Sequence, residues 1–417
     1  MRRRQVLGAG AGALAGRKLS KMQVLACGAL IVALSMGIRH GFGLWLLPIT
    51  QSNEWDRGTF SFALALQNLS WGLVGIFAGI LADRFGAFRV LVGGAALYAL
   101  GLIGMALSGT ATVFTLTAGV LIGAAQAGTT YAVVYGVIGR QIDPAQRSWA
   151  MGVAAAAGSF GQFVMVPVEG FLIQHFGWQQ ALMVLAAVVL LIMPLAYGLR
   201  EPGFADGADR PEREQTVLHA LDEALRHRSF QLLMAGFFVC GFQLVFIGVH
   251  MPSYLRDRGL SPGVASYALG LIGLFNVIGT YLAGSLGERI ARRKILSSIY
   301  LGRAIAIGVF FWTPLSPLSV YIFSAVMGSL WLSTVPPTNA AVAQIFGAAH
   351  LSMLAGFIFF SHQIGAFLGA WLGGVLYDRT GSYDLLWYLS IGLGVLAALV
   401  NLPVREAPIA RGVPQSA

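Results

Sequence analysis

Two arginines sit where an arginine is costly. Arg39 and Arg303 each fall inside an apolar run, away from its ends. A guanidinium in such surroundings needs a partner charge or an anionic ligand. Its fork of N–H donors matches the two oxygens of a carboxylate or a phosphate. No acidic residue shares the run that holds Arg39. Glu169 is the one acid clearly inside another run, so anion binding and an Arg39–Glu169 bridge compete. His40 follows directly, about 100° further round a helix, so the two cannot face one spot squarely. Arg303 is expected to be structural, snorkelling or paired. Gln243 and His250 are seven residues apart, two helical turns, on one face. They predict a polar stripe, and His250 could carry a proton near neutral pH or simply hold a structural hydrogen bond. A phosphate-cradling loop with its lysine, a metal-ligand cluster and a nucleophile–base pair are not found, so no cofactor or metal is expected and an enzyme is not the reading.

The elements around these residues are long and greasy. Of 417 residues, 57% are hydrophobic and only 11% charged, against roughly 25% charged in a soluble domain. That is too little charge to cover a soluble globule. It excludes an ordinary soluble enzyme, a nucleic-acid-binding module and a disordered chain. The 54 glycines suit closely packed membrane helices. Cys27 and Cys240 lie in apolar runs and predict neither a disulfide nor a zinc site.

Twelve apolar segments are legible, at 22–48, 58–81, 88–109, 112–138, 148–173, 178–199, 229–255, 262–286, 294–313, 316–346, 351–377 and 383–402. Each is long enough to span a bilayer. Segments 1, 4, 10 and 11 exceed one crossing and are expected to tilt, kink or protrude. Pro336 and Pro337 predict a break in segment 10. With both termini placed inside, 21 of the 27 Lys and Arg fall in inside regions. That bias sets the orientation. It also accounts for the net charge of +10 without nucleic acid. The domain reading is a cytoplasmic tail over 1–21, six helices over 22–199, a linker over 200–228, six helices over 229–402 and a tail over 403–417. Arg2, Arg3 and Arg4 resemble the start of a secretion signal, but the run after them is short and glycine-rich. A basic tail, or a start codon placed too far upstream, fits better. In the linker, Val217, Leu218, Leu221 and Leu225 predict an amphipathic interfacial helix.

The halves repeat. With an offset of 205 residues, Gly58–Leu91 aligns without gaps on Gly263–Leu296. The clearest stretch is GILADRFGAFRVL (79–91) against GSLGERIARRKIL (284–296). Gly79, Asp83, Arg84, Gly86 and Arg89 resemble the signature loop of the major facilitator superfamily, with Glu288 and Arg289 in its echo. The carboxylate could sit at a helix N-terminus or pair with arginine and so latch one gate state; setting topology is the plainer role. GIRHGFGLWLLP (37–48), RSWAMGVAAAAGSFGQF (147–163) and GVLYDRTGSYD (374–384) resemble the monocarboxylate porter and oxalate–formate antiporter branch. Animal members of that branch carry an Asp and an Arg four apart on helix 8. Asn276 and Thr280 stand at the matching positions here, and the lysine partner on helix 1 is missing too.

The resemblance implies an all-α membrane protein of two pseudo-symmetric six-helix bundles, with helices 1, 4, 7 and 10 lining a central cavity. On that frame the substrate candidates are Arg39, Gln126, Tyr131, Gln243, His250, Asn276, Asn339 and His362. The expected function is secondary transport of small organic anions, monocarboxylates first, by alternating access. A proton or counter-anion is the partner that could offset charge. The location is a bacterial inner membrane, with lipid as the surroundings and a monomer sufficient. Efflux of drugs or neutral metabolites is the alternative, and a membrane sensor or enzyme the remote one. The buried acid that a cationic drug would call for is not found on helices 1, 4, 7 or 10.

Overall fold

The computed structural model describes residues 20–200, 217–287, 289–347 and 351–409, and these are all-helical. Most of the expected tails, the first part of the linker and Glu288 lie outside the described residues, as does the Asp83 side chain. Twelve helices are long and apolar enough to cross a membrane. In the first half they are α1 (Lys21–Asn53), α2 (Arg57–Phe85), α3 (Ala87–Ala106), α4 (Ala111–Gln141), α5 (Pro144–Phe176) and α6 (Trp178–Leu199). In the second they are α7 (Arg228–Asp257), α8 (Pro262–Leu286), α9 (Arg292–Trp312), α10 (Pro317–Phe346), α11 (Leu351–Thr380) and α12 (Asp384–Asn401). A short linker helix, Val217–Arg226, precedes α7. Among the described residues an even number of spans puts the start of α1, the linker helix and the end of α12 on one side, here called the terminal end. The other is the distal end.

Starts are capped where the sequence supplies a short polar side chain. Ser20 accepts from the Gln23 amide, Asp56 from Thr59, and Ser316 from Ser319. Such caps satisfy amides that the helix leaves open. Three of the four overlong segments are discontinuous, while α11 runs unbroken. In α1 a helix ends at His40 and a 3-10 turn covers Phe42–Trp45. In α4 a π turn covers Thr115–Leu121, and the chain breaks again at Thr130. In α10 the break lies between Leu330 and Val335, ahead of the two prolines. Pro336 and Pro337 instead open the second segment, where a missing N–H costs nothing.

The core divides in two. One cluster draws almost wholly on residues 24–199, the other on residues 224–404. The halves meet where α2 packs on α11 and α5 on α8. Small residues permit this approach. Gly72 of α2 lies hard against Gln363 and Phe360, and Gly273 of α8 against Ser159 and Gln162. Gln162 also donates to the Leu269 carbonyl at 2.8 Å. Beyond Gly72 and Ser159, toward the terminal end, Gly75, Gly79, Gly152 and Gly356 face open space. The halves are therefore closed at the distal end and splayed at the terminal end, with a cleft between them.

Candidate functional site

Arg39 lies one residue before the end of the first helical segment of α1. Its Nη2 donates to Oδ1 of Asn68 on α2, and its guanidinium lies over the Trp71 ring, 4.6 Å from the centroid. Its Nε is buried without a partner. The phenols of Tyr98 and Tyr131 are within electrostatic reach. Glu169 does not pair with it. That carboxylate accepts from the Trp45 indole at 2.9 Å through Oε2, and its Oε1 is buried with no partner. The bridge that competed with anion binding is not formed. Among the described residues Arg39 has no acidic partner.

A run of rings carries this cation to the second half. Trp71 meets Phe359 of α11 edge-on at 5.2 Å. Phe359 stacks on His362, with centroids 5.8 Å apart and planes 11° from parallel. Phe237 of α7 also meets that imidazole, tilted, at 5.3 Å. His362 bonds to Gln363, the residue against Gly72 where the two halves last touch. The site therefore lies at the apex of the cleft. One half supplies a guanidinium on an indole, the other an imidazole against phenyl rings. A guanidinium with spare donors recognises an oxyanion, and ring faces supply an apolar wall.

Comparison with known proteins places this architecture. The family model of the Major Facilitator Superfamily matches residues 24–338 and again residues 258–417. The chain belongs to the Major Facilitator Superfamily. It is similar over nearly its whole length to an uncharacterized MFS-type transporter, YcxA, of Bacillus subtilis (24% identity over 375 residues, 87% of this chain and 90% of that one). It is also similar to monocarboxylate transporter 13 of Bos taurus (24% over 391 residues, 91% and 89%). Its fold matches a bacterial homologue of the human lysosomal transporter Spinster in an inward-facing, unoccupied conformation, at a TM-score of 0.71 with 16% identity, covering 93% and 95% of the chains. It also matches a D-xylose–proton symporter at 0.70, with 16% identity and coverage of 93% and 99%. The protein is thus a multi-pass membrane transporter, not an enzyme.

On a major facilitator frame the predicted polar residues separate into groups. Arg39 and His362 flank the cleft apex. Tyr131 opens the second segment of α4, its hydroxyl close against Gly158. Asn276 ties the halves together. Its Nδ2 donates to Ser159 of α5 at 2.8 Å, and its Oδ1 accepts from the Leu332 amide in the α10 break at 2.9 Å. Asn339 is half-buried on α10.

Three candidates sit elsewhere. Gln126 is wholly buried, donating to the Tyr98 hydroxyl at 3.4 Å. Gln243 donates to the Ser390 carbonyl of α12 at 2.9 Å. His250 bonds the Ala370 carbonyl of α11 at 2.7 Å. The expected stripe of Gln243 and His250 exists, but it faces α11 and α12 and not the cleft. Helix α7 is buried on nearly every side, so helical spacing could not select its cavity face. Arg303 is also wholly buried. Its Nε and Nη2 donate to the carbonyls of Leu330 and Trp331, which end the first segment of α10. A cation there answers carbonyls that the broken helix leaves open.

In the signature loop, Gly86 turns the chain at φ +85°, and Arg84, Arg89 and Arg289 are exposed at the open terminal end. Gly79 stands in open space there. None of these arginines pairs with a described carboxylate. The ion pair that does join the halves is distal, and the sequence reading did not single it out. Arg57 of α2 grips Asp257 of α7. Its only sequence signal was the YDRTGSYD stretch, which supplies Asp378 and Tyr383 to the same contact.

Proposed function

We propose that this transporter moves small organic anions, monocarboxylates foremost, by alternating access across a bacterial cytoplasmic membrane. The observation that carries the reading is Arg39, a partly buried cation with no acidic partner, set at the cleft apex against aromatic rings from both halves. The excess of basic residues on the terminal side puts that side in the cytoplasm. The distal end is then outer, and the arrangement described is inward-open. In the cycle, a carboxylate enters the cleft and exchanges for water at Arg39. Its apolar part lies against Trp71 and Phe359, and the halves rock about the site. The loops at Gly79–Arg89 and Glu288–Arg289 latch the inner end when it closes. One chain holds both halves, so a monomer suffices.

The test is thermal stability of the purified protein against short and aromatic monocarboxylates, dicarboxylates, neutral compounds and cations. A ligand at 100 times its Kd stabilises by about 2.7 kcal/mol. Monocarboxylates are expected to raise the melting temperature of wild type and not of a folded Arg39→Gln variant. A variant that responds like wild type, or stabilisation by neutral compounds alone, would turn the reading to efflux of neutral substrates.

A further inference from the structure

Glu169 is the one wholly buried carboxyl among the described residues, and transport as read above gives it no task. Its surroundings are nearly bare of charge. The Trp45 indole is its only hydrogen-bond partner. Gly41 of α1 packs so closely on the carboxyl that no side chain would fit there. Arg39 and His40 precede that glycine, but Arg39 is turned to Asn68 and Trp71, and His40 bonds the Met36 carbonyl at 2.6 Å. From α3 the Tyr98 phenol lies in electrostatic reach. From α8 comes Ser266, which bonds the Pro262 carbonyl, and on α7 the imidazole of His250 is bonded to α11. No bond from α4, α6 or α8 reaches the carboxyl. An ionised carboxylate here would stand uncompensated, at a cost of several kcal/mol. The neutral acid leaves only an O–H without an acceptor, a smaller penalty than a bare charge.

What buries it is the closed outer end. Trp45 belongs to the 3-10 turn of α1, and Gly43 in that turn packs on the backbone of Gly248 in the other half. Gly170, next to Glu169, packs on Ser266 of α8 across the same seam. A cavity of about 170 Å³ runs along this seam, lined by Gly43, Gly170 and Ser266 and, at its exposed mouth, by Gln51, Gln174 and Arg256. The cavity stops at Gly170, the chain neighbour of Glu169, so parting the halves along the seam would open a path from it toward the carboxyl. In the inward-open arrangement, by contrast, the open inner cleft does not reach it.

We propose that Glu169 is a protonation site served from the outer face, and that closure of the outer end requires the proton bound there. The step is the addition of one proton to one carboxylate, with its release to the same side on reopening. The proton therefore biases the closure equilibrium and is not carried across. The closed form holds one more proton than the open form. Lower external pH favours closure, and above the carboxyl's open-state range closure weakens by up to tenfold per pH unit. The sidedness rests on the transport reading above, but the protonation site does not depend on the substrate.

The test uses the full chain in proteoliposomes, with spin labels at Ser52→Cys and Arg256→Cys in a Cys27→Ala, Cys240→Ala background. The short-distance population is expected to grow on acidification, by up to tenfold per unit. It should stay high at every pH in Glu169→Gln. Glu169→Asp should keep the pH response with a moved midpoint, and it serves if the Gln variant fails to fold. This readout needs no substrate, so it stands or falls apart from the carboxylate reading. A Gln variant that tracks wild type overturns the proposal. So does a short-distance population that follows internal pH with external pH held fixed.

Discussion

Arg57 and Asp257, one from each half, meet in a two-pronged ion pair of 2.6 and 2.7 Å at the distal end. Arg57 also lies flat on the Tyr377 ring at 3.7 Å and donates to the Tyr383 hydroxyl at 2.9 Å. Burial pushes the Tyr383 phenol above its ordinary range, so its oxygen stays a neutral hydroxyl that accepts. Asp378 completes the contact by accepting from the amides of Arg57 and Gly58, the first turn of α2. A carboxylate at a helix N-terminus satisfies open amides and the helix dipole together. The second half thus both pairs with α2 and caps it.

This contact predicts a conformational lock. Asp257→Asn should shift the balance toward the outer-open form by about 1.5–3 kcal/mol, the range of hydrogen bonds to charged groups. The distance between labels at Ser52 and Arg256 would report it. High salt should reproduce part of the shift in wild type, because the pair is partly exposed. An unchanged distance distribution in the variant would deny the pair a gating role.

Trp71 should tune affinity without deciding specificity. A cation–π contact contributes about 0.5–2 kcal/mol. Trp71→Phe is expected to keep most of the carboxylate response, and Trp71→Leu to weaken binding by up to about thirtyfold at the upper end of that range. Calorimetric titration with a monocarboxylate identified by thermal shift checks the order. Equal affinity in both variants would show that the indole only fills space.

Arg303 should behave as structure. Removing the guanidinium leaves the Leu330 and Trp331 carbonyls buried and unanswered at the break in α10. Arg303→Leu is expected to cost about 1–3 kcal/mol for each carbonyl left without a donor. Arg303→Lys should recover part of the melting temperature with the same ranking of ligands. A stable Leu variant with altered ligand ranking would instead place Arg303 in recognition.

Much of the membrane architecture was legible because it is local. Twelve apolar runs and the sign of the loop charges are each read within a few residues. Apolar length against bilayer thickness decides the spans. The repeat about Gly79–Arg89 and Gly284–Lys294 carried the family. The breaks were harder. The prolines of α10 marked the right region but not the site, because the chain opens before them. The break in α1 left no mark that spacing could read, since Gly41 and Gly43 are required by Glu169 and Gly248, which are remote in sequence.

The sequence by itself determined that this chain lives in a membrane, crosses it twelve times and buries Arg39 without an acid on its own helix. Only the tertiary structure decided which polar residues share a space. Gln243 and His250 keep the helical spacing of a cavity stripe, yet face α11 and α12. His362 reaches Arg39 through Phe359 of its own helix and Trp71 of α2. The reason is that a helix enclosed on all sides shows no amphipathic bias, so its face is chosen by its neighbours. Those neighbours are set by close glycine contacts between segments hundreds of residues apart.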